Sequence, residues 1–123
     1  MITQQSFHAA KNRCTKLLIS RGYEPVQPVT DSFLAQIIPL HLVGLKGDYE
    51  ALCVKVRLAQ AAITPAYVES FCRFDLCQLR ALVTMSPGDI FLRCEEWVVS
   101  PNGSIHCFEV LAKGIREVAA YAR

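Results

Sequence analysis

The chain has 123 residues, 52% of them hydrophobic and 20% charged, with a formal net charge of +2. That length suits one domain able to bury roughly two-thirds of the surface its unfolded form exposes, and that composition excludes a disordered chain. No apolar run approaches the ~20 residues that span a bilayer, and the opening MITQQSFHAAKNR lacks the apolar stretch of a signal peptide, so a soluble cytoplasmic protein with no membrane partner is expected.

Phe7, Ala10, Cys14, Leu17 and Leu18 recur at helical spacing, and Gly22 supplies a stop. Lys11, Arg13 and Lys16 lie outside that stripe. With Arg21 they give residues 1–23 four positive charges and no acid, while the remaining hundred residues carry 9 basic and 11 acidic groups. A basic first helix can touch phosphate. On charge alone, a solvated helix face reads equally well.

Residues 23–36, with Pro25 and Pro28, read as a short edge strand followed by a loop. Ile37 to Leu58 reads as an antiparallel hairpin turning at Gly47-Asp48. Pairing the arms about Gly47 sets His41 opposite Cys53, with Lys55 two residues further and on the same face. The other face, Leu40, Leu42, Leu52, Val54, Val56 and Leu58, is apolar throughout. A lysine on a central strand must reach water, a carboxylate or a ligand, because burying it unpaired costs several kcal/mol. A histidine opposite a cysteine is in most sheets a partly buried polar pair.

Thr64 then caps and Pro65 opens a helix whose Val68, Phe71, Cys72, Leu76, Leu79, Leu82 and Val83 trace a broad buried face, ended by Ser86-Pro87-Gly88. Ile90 to Val99 reads as a strand, Asn102-Gly103 as a hairpin turn, and 104–111 as the return strand. The last dozen residues, with Ile115, Val118, Ala119 and Ala122, read as a short closing helix. The whole chain, 1–123, is then one α+β (mixed α/β) domain: a single mixed sheet with flanking helices and a parallel crossover from Leu58 to the strand at 90. Trp97 fits the core, a sheet face or a homodimer surface better than base stacking.

Six cysteines, Cys14, Cys53, Cys72, Cys77, Cys94 and Cys107, contain no C-x-x-C pair and read as reduced core residues, with no metal site among them. Neither a glycine-rich phosphate loop nor a nucleophile-elbow pattern occurs.

The helix ending in LLISRGYEPV and the hairpin LHLVGLKGDYEALCVKVR resemble the PD-(D/E)XK nuclease superfamily, in particular its archaeal Holliday-junction-resolvase-like, restriction-endonuclease-like branch, over roughly residues 7–99. The likeness lies in the hydrophobic frame, the turn, the lysine and the following arginine. It implies that Lys55 stands at the family's lysine, His41 at its first carboxylate, Cys53 at its second, and Arg57 where a basic residue often follows. The family's chemistry uses carboxylates to hold Mg²⁺, a hard cation that takes oxygen ligands. Histidine and cysteine suit softer metals, so the resemblance implies a degenerate site with no cofactor. Mg²⁺ enters only if the acids have moved onto the helix after the hairpin, where Glu69 and Asp75 are candidates. Asp75, on the apolar stripe, reads more often as an acid held by a buried ion pair or hydrogen bond with a nearby arginine or a strand-edge amide.

Three functions follow. The first is a non-catalytic nuclease-fold protein that binds DNA through phosphate contacts (Lys11, Arg13, Lys16, Arg57) or serves protein interaction. The second is a metal-dependent endonuclease with relocated ligands. The third is a small regulatory or partner subunit without a nucleic-acid role.

Overall fold

A computed structural model of the chain describes residues 4–26, 40–85 and 91–119. Helix α1 (Gln4–Ser20) turns Phe7, Ala10, Cys14, Leu17 and Leu18 onto one side, as their spacing requires. Its end is a Schellman motif: Tyr23 N–H donates to Leu18 O at 3.2 Å and Gly22 N–H to Ile19 O at 2.9 Å. Gly22 sits at φ 92°, a region that glycine enters without steric cost.

Strands β1 (Glu24–Val26), β2 (Leu42–Lys46) and β3 (Glu50–Leu58) follow, then helices α2 (Pro65–Phe71) and α3 (Arg73–Met85), then β4 (Phe91–Val99), β5 (Ile105–Val110) and β6 (Ile115–Val118). They form one six-stranded sheet in the order β1-β2-β3-β4-β5-β6. All neighbours are antiparallel except β3 and β4, which run parallel across the α2–α3 crossover. The expected mixed α+β sheet is therefore present. Among the described residues no helix is long and apolar enough to cross a membrane.

The α2 start is as expected, with Thr64 Oγ1 accepting from Tyr67 N–H at 3.1 Å and Pro65 at the first turn. The expected single helix is instead two, parted at Cys72 (φ −102°, ψ 24°), with backbone hydrogen bonds continuing on both sides of it. Asn102-Gly103 makes the β4–β5 turn, Gly103 at φ 92°, and the Asn102 Oδ1 and Ser100 Oγ both accept from Ser104 N–H.

Two further expectations are corrected. The closing helix is a strand: Gly114 at φ 76° turns the chain back, and Ile115–Val118 pairs with β5 from Val110↔Ile115 onward. Apolar residues three apart suit a helix. However, the β-branched Ile115 and Val118 flank a tight turn beside an otherwise open strand, and pairing wins. The hairpin register also differs. Gly47-Asp48-Tyr49 forms a three-residue turn closed by Lys46↔Glu50, so Cys53 opposes Val43, not His41. A shift of two keeps each residue on its face but moves it one pair along.

Strand alternation divides the interior into two layers. On the α1 side lie Leu42, Leu52, Val54, Val56, Trp97, Val99 and Cys107. On the α2–α3 side lie Cys53, Cys94, Val98, Phe108 and Val110. Leu58 packs with the first layer as its strand position requires, whereas Leu40 packs with the second. Gly44 allows α1 and the Tyr23 that follows it to press onto β2, since a Cβ there would lie 2.8 Å from Tyr23 Cβ and 3.0 Å from Leu18 Cδ1.

Candidate functional site

Period-2 alternation puts Cys53, Lys55 and Arg57 of β3 on the α3 side, and parallel pairing sets Cys94 beside Cys53 and Glu96 beside Lys55. Helix α3 lays Asp75 and Gln78 over them. Lys55, 3% exposed, has its Nζ 3.2 Å from Asp75 Oδ1 and donates to Gln78 Oε1. Arg57 grips the same carboxylate from outside, Nε to Oδ2 at 2.6 Å and Nη2 to Oδ1 at 2.8 Å. Burial pushes the Asp75 carboxyl up, but the Arg57 hydrogen bonds and the Lys55 charge hold it down at about 2. Asp75 thus reaches Lys55, and it does so as a clamped member of an ion network.

Glu96 completes the cluster differently. It is wholly buried and neither carboxylate oxygen meets hydrogen-bond geometry, although Asp75 and Cys72 lie close enough to act on its ionisation. Burial first, and the Asp75 charge second, push it up to about 10, so it carries a proton at neutral pH. The network holds Lys55 and Arg57 against one ionised acid, Asp75.

His41 stands apart from a Lys55–Cys53 triad. It lies where β2 has ended, with its backbone N–H donating to Val54 O at 3.0 Å and its Nδ1 accepting from Val56 N–H at 2.7 Å. The ring thereby replaces the β2 backbone as partner for β3, and the proton belongs on Nε2. Phe7 of α1 packs edge-on against it, centroids 5.1 Å apart. Burial and the nearby Lys55 charge lower its pKa to about 4, keeping it neutral. Cys53 is buried beside Cys94, and the hydrogen bond between the two thiols, with burial second, pushes the Cys94 thiol up. All six cysteines are free thiols.

These positions do not fit Mg²⁺. The His41 nitrogen facing the strand is already an acceptor, Cys53 offers sulfur, and both Asp75 oxygens are taken by Arg57. Among the described residues no group of three or more His, Cys, Asp and Glu is arranged to hold a metal. Glu69 pairs with Arg80 at 3.9 Å, away from Lys55.

The four candidate phosphate contacts are not brought together. Arg13 and Lys16 share one exposed flank of α1, beside the β4–β5 turn, where both line a groove with Gly103 and Ile105. Lys11, about 200° around the helix from Arg13, lies on the opposite flank, where its charge acts on His41. Arg57 is on the far face of the sheet and is committed to Asp75.

Sequence reasoning missed Glu96, Gln78 and a second buried cluster on the α1 side. There Glu95 accepts both Arg21 nitrogens at 2.7 and 2.9 Å, Arg93 Nε at 2.7 Å and Trp97 Nε1 at 2.8 Å. The available signal was two consecutive acids inside the apolar strand LRCEEWVV, where alternation sends one to each side of the sheet. No family model and no curated protein matches the chain.

Proposed function

We propose that this chain is a non-catalytic protein of nuclease-like architecture that binds the phosphate backbone of nucleic acid through Arg13 and Lys16 of its first helix. The observation that carries the non-catalytic part is the enclosure of Lys55 by Asp75 and Gln78 at 3% exposure. A lysine held this way neutralises a buried acid and has no path to a scissile phosphate. Support for phosphate binding is the exposed flank of α1: among the described residues Arg13 and Lys16 have no ion-pair or side-chain hydrogen-bond partner.

A salt titration of binding to duplex and junction DNA tests this reading. Affinity is expected to fall linearly on a log–log plot, and the Arg13→Ala/Lys16→Ala protein to lose about 0.9 of slope per phosphate contact removed. Absence of binding at low salt would end the proposal.

One observation favours the endonuclease reading, the Asp75 carboxylate 3.2 Å from Lys55 Nζ with Glu96 across the strand pair. Cleavage supported by Mg²⁺ or Mn²⁺ and abolished by both Lys55→Ala and Asp75→Asn would replace the first reading with this one. Cleavage indifferent to either change removes it.

A further inference from the structure

A cavity of about 520 Å³ opens at the carboxyl ends of the parallel strands β3 and β4, against the first turns of α1. Its floor is made of small and aliphatic groups, Ala10, Leu58, Ala59 and Val99, while Arg13, Gln60, Ser6 and Ser100 supply its polar lining. Carboxyl ends of adjacent parallel strands are where open α/β sheets hold ligands, and the volume lies within the range of small-molecule sites.

The charge at this cavity is unusual for the chain. Arg21, Arg57, Arg80, Arg93 and Arg116 each have an acidic partner; Arg13 and Arg73 have none among the described residues, and of these two Arg13 lines the cavity, which no acid lines. Its guanidinium lies against the β4–β5 turn, where any Cβ at Gly103 would overlap it. The cation is thus placed at a concave site by the absence of a side chain. Arg13 also lines the next groove, which contributes Lys16. An apolar slot, one amide able to donate and accept, and one or two unpaired cations match a planar heterocycle carrying a phosphate.

We propose that this cavity binds a nucleoside 5′-monophosphate unit, either free or as the phosphorylated end of a single strand, with the base on the apolar floor and the phosphate on Arg13. This goes beyond backbone binding and shares with it only Arg13 and Lys16.

Calorimetric titration with AMP, adenosine, inorganic phosphate and a 5′-phosphorylated single-stranded oligonucleotide tests it. AMP is expected to bind at least tenfold more tightly than adenosine or phosphate, and Arg13→Ala to weaken it at least tenfold. An oligonucleotide binding more tightly than AMP assigns the site to strand ends, and the reverse assigns it to free nucleotide. Ala9 lines the cavity from an exposed helix position, so Ala9→Phe fills the slot without entering the core. That variant is expected to lose AMP while its duplex DNA affinity stays within twofold, and Gln60→Ala is expected to weaken AMP severalfold by an independent route. Phosphate binding as tightly as AMP, or AMP affinity unchanged in both the Ala9 and Gln60 variants, overturns the proposal. AMP binding without any duplex binding at low salt would leave this site standing and remove the backbone reading instead.

Discussion

Glu95 and Glu96 are adjacent on β4 and equally removed from solvent, and strand alternation sends them to opposite faces of the sheet. Glu95 meets Arg21, Arg93 and the Trp97 N–H. Burial pushes its carboxyl up, but those donors bring it below the ordinary carboxylate value. Glu96 is level with Lys55, yet that lysine points to Asp75 and Gln78, and Arg57 does the same for Asp75. Glu96 therefore stays protonated. The pair teaches that a buried acid ionises according to the hydrogens aimed at its oxygens, rather than according to how many cations are near.

The largest way to break this comparison is Glu95→Ala. It leaves Arg21 and Arg93, 12% and 24% exposed at their side chains, facing a buried void. Denaturant unfolding should show a loss of about 3–5 kcal/mol; a loss below ~1 kcal/mol would mean water already solvates that cluster.

Glu96→Gln should act in the opposite direction. The folded protein keeps a proton up to about pH 10 that the unfolded chain releases near 4.5. Stability from this group is fully present below that lower pH and drains away as the pH rises towards the upper one. At pH 8 that linkage amounts to about 5 kcal/mol, of which the unmet hydrogens of the new amide take back about 1–3, so the E96Q protein should be more stable at pH 8 by on the order of 2 kcal/mol, with a flatter profile between those limits. Equal slopes for the two proteins would show Glu96 to be ionised.

The smallest expected effect sharpens the explanation. With Asp75→Asn, the negative charge that helps keep Glu96 protonated is gone, so Glu96 can ionise, take over as counter-ion to Lys55 and soften the damage. In the Glu96→Gln background that rescue is gone. A double-mutant cycle should give a coupling of about 1 kcal/mol, with Asp75→Asn more costly when Glu96 is absent. Additivity would separate the two acids.

Much of the architecture was readable from local chemistry. The Gly22 stop, the Thr64-Pro65 start, the Asn102-Gly103 turn and the parallel crossover each rest on a residue whose backbone preference leaves few choices. The hairpin register was not readable, because Gly47 opens a three-residue turn instead of centring a tighter one, and no neighbouring side chain announces the difference. The strand Ile115–Val118 was hidden because apolar residues three apart satisfy a helix as well. At the candidate site, Lys55 and Asp75 were both visible as charged residues on apolar faces. That they meet depends on the depth at which α3 crosses β3, which sequence spacing does not encode. His41 had a role no motif suggests, because it bonds to backbone at a place where a strand stops.

The rims of the sheet carry a consequence for self-association. One outer strand is the three-residue Glu24–Val26 with Pro25 at its centre, and the other is the four-residue Ile115–Val118 bearing Arg116 and Glu117. Short edges, a missing amide hydrogen and exposed charge deny an incoming chain the long ladder that fibre growth requires. Among the described residues, neither rim offers copies of this molecule a long open ladder along which to polymerise.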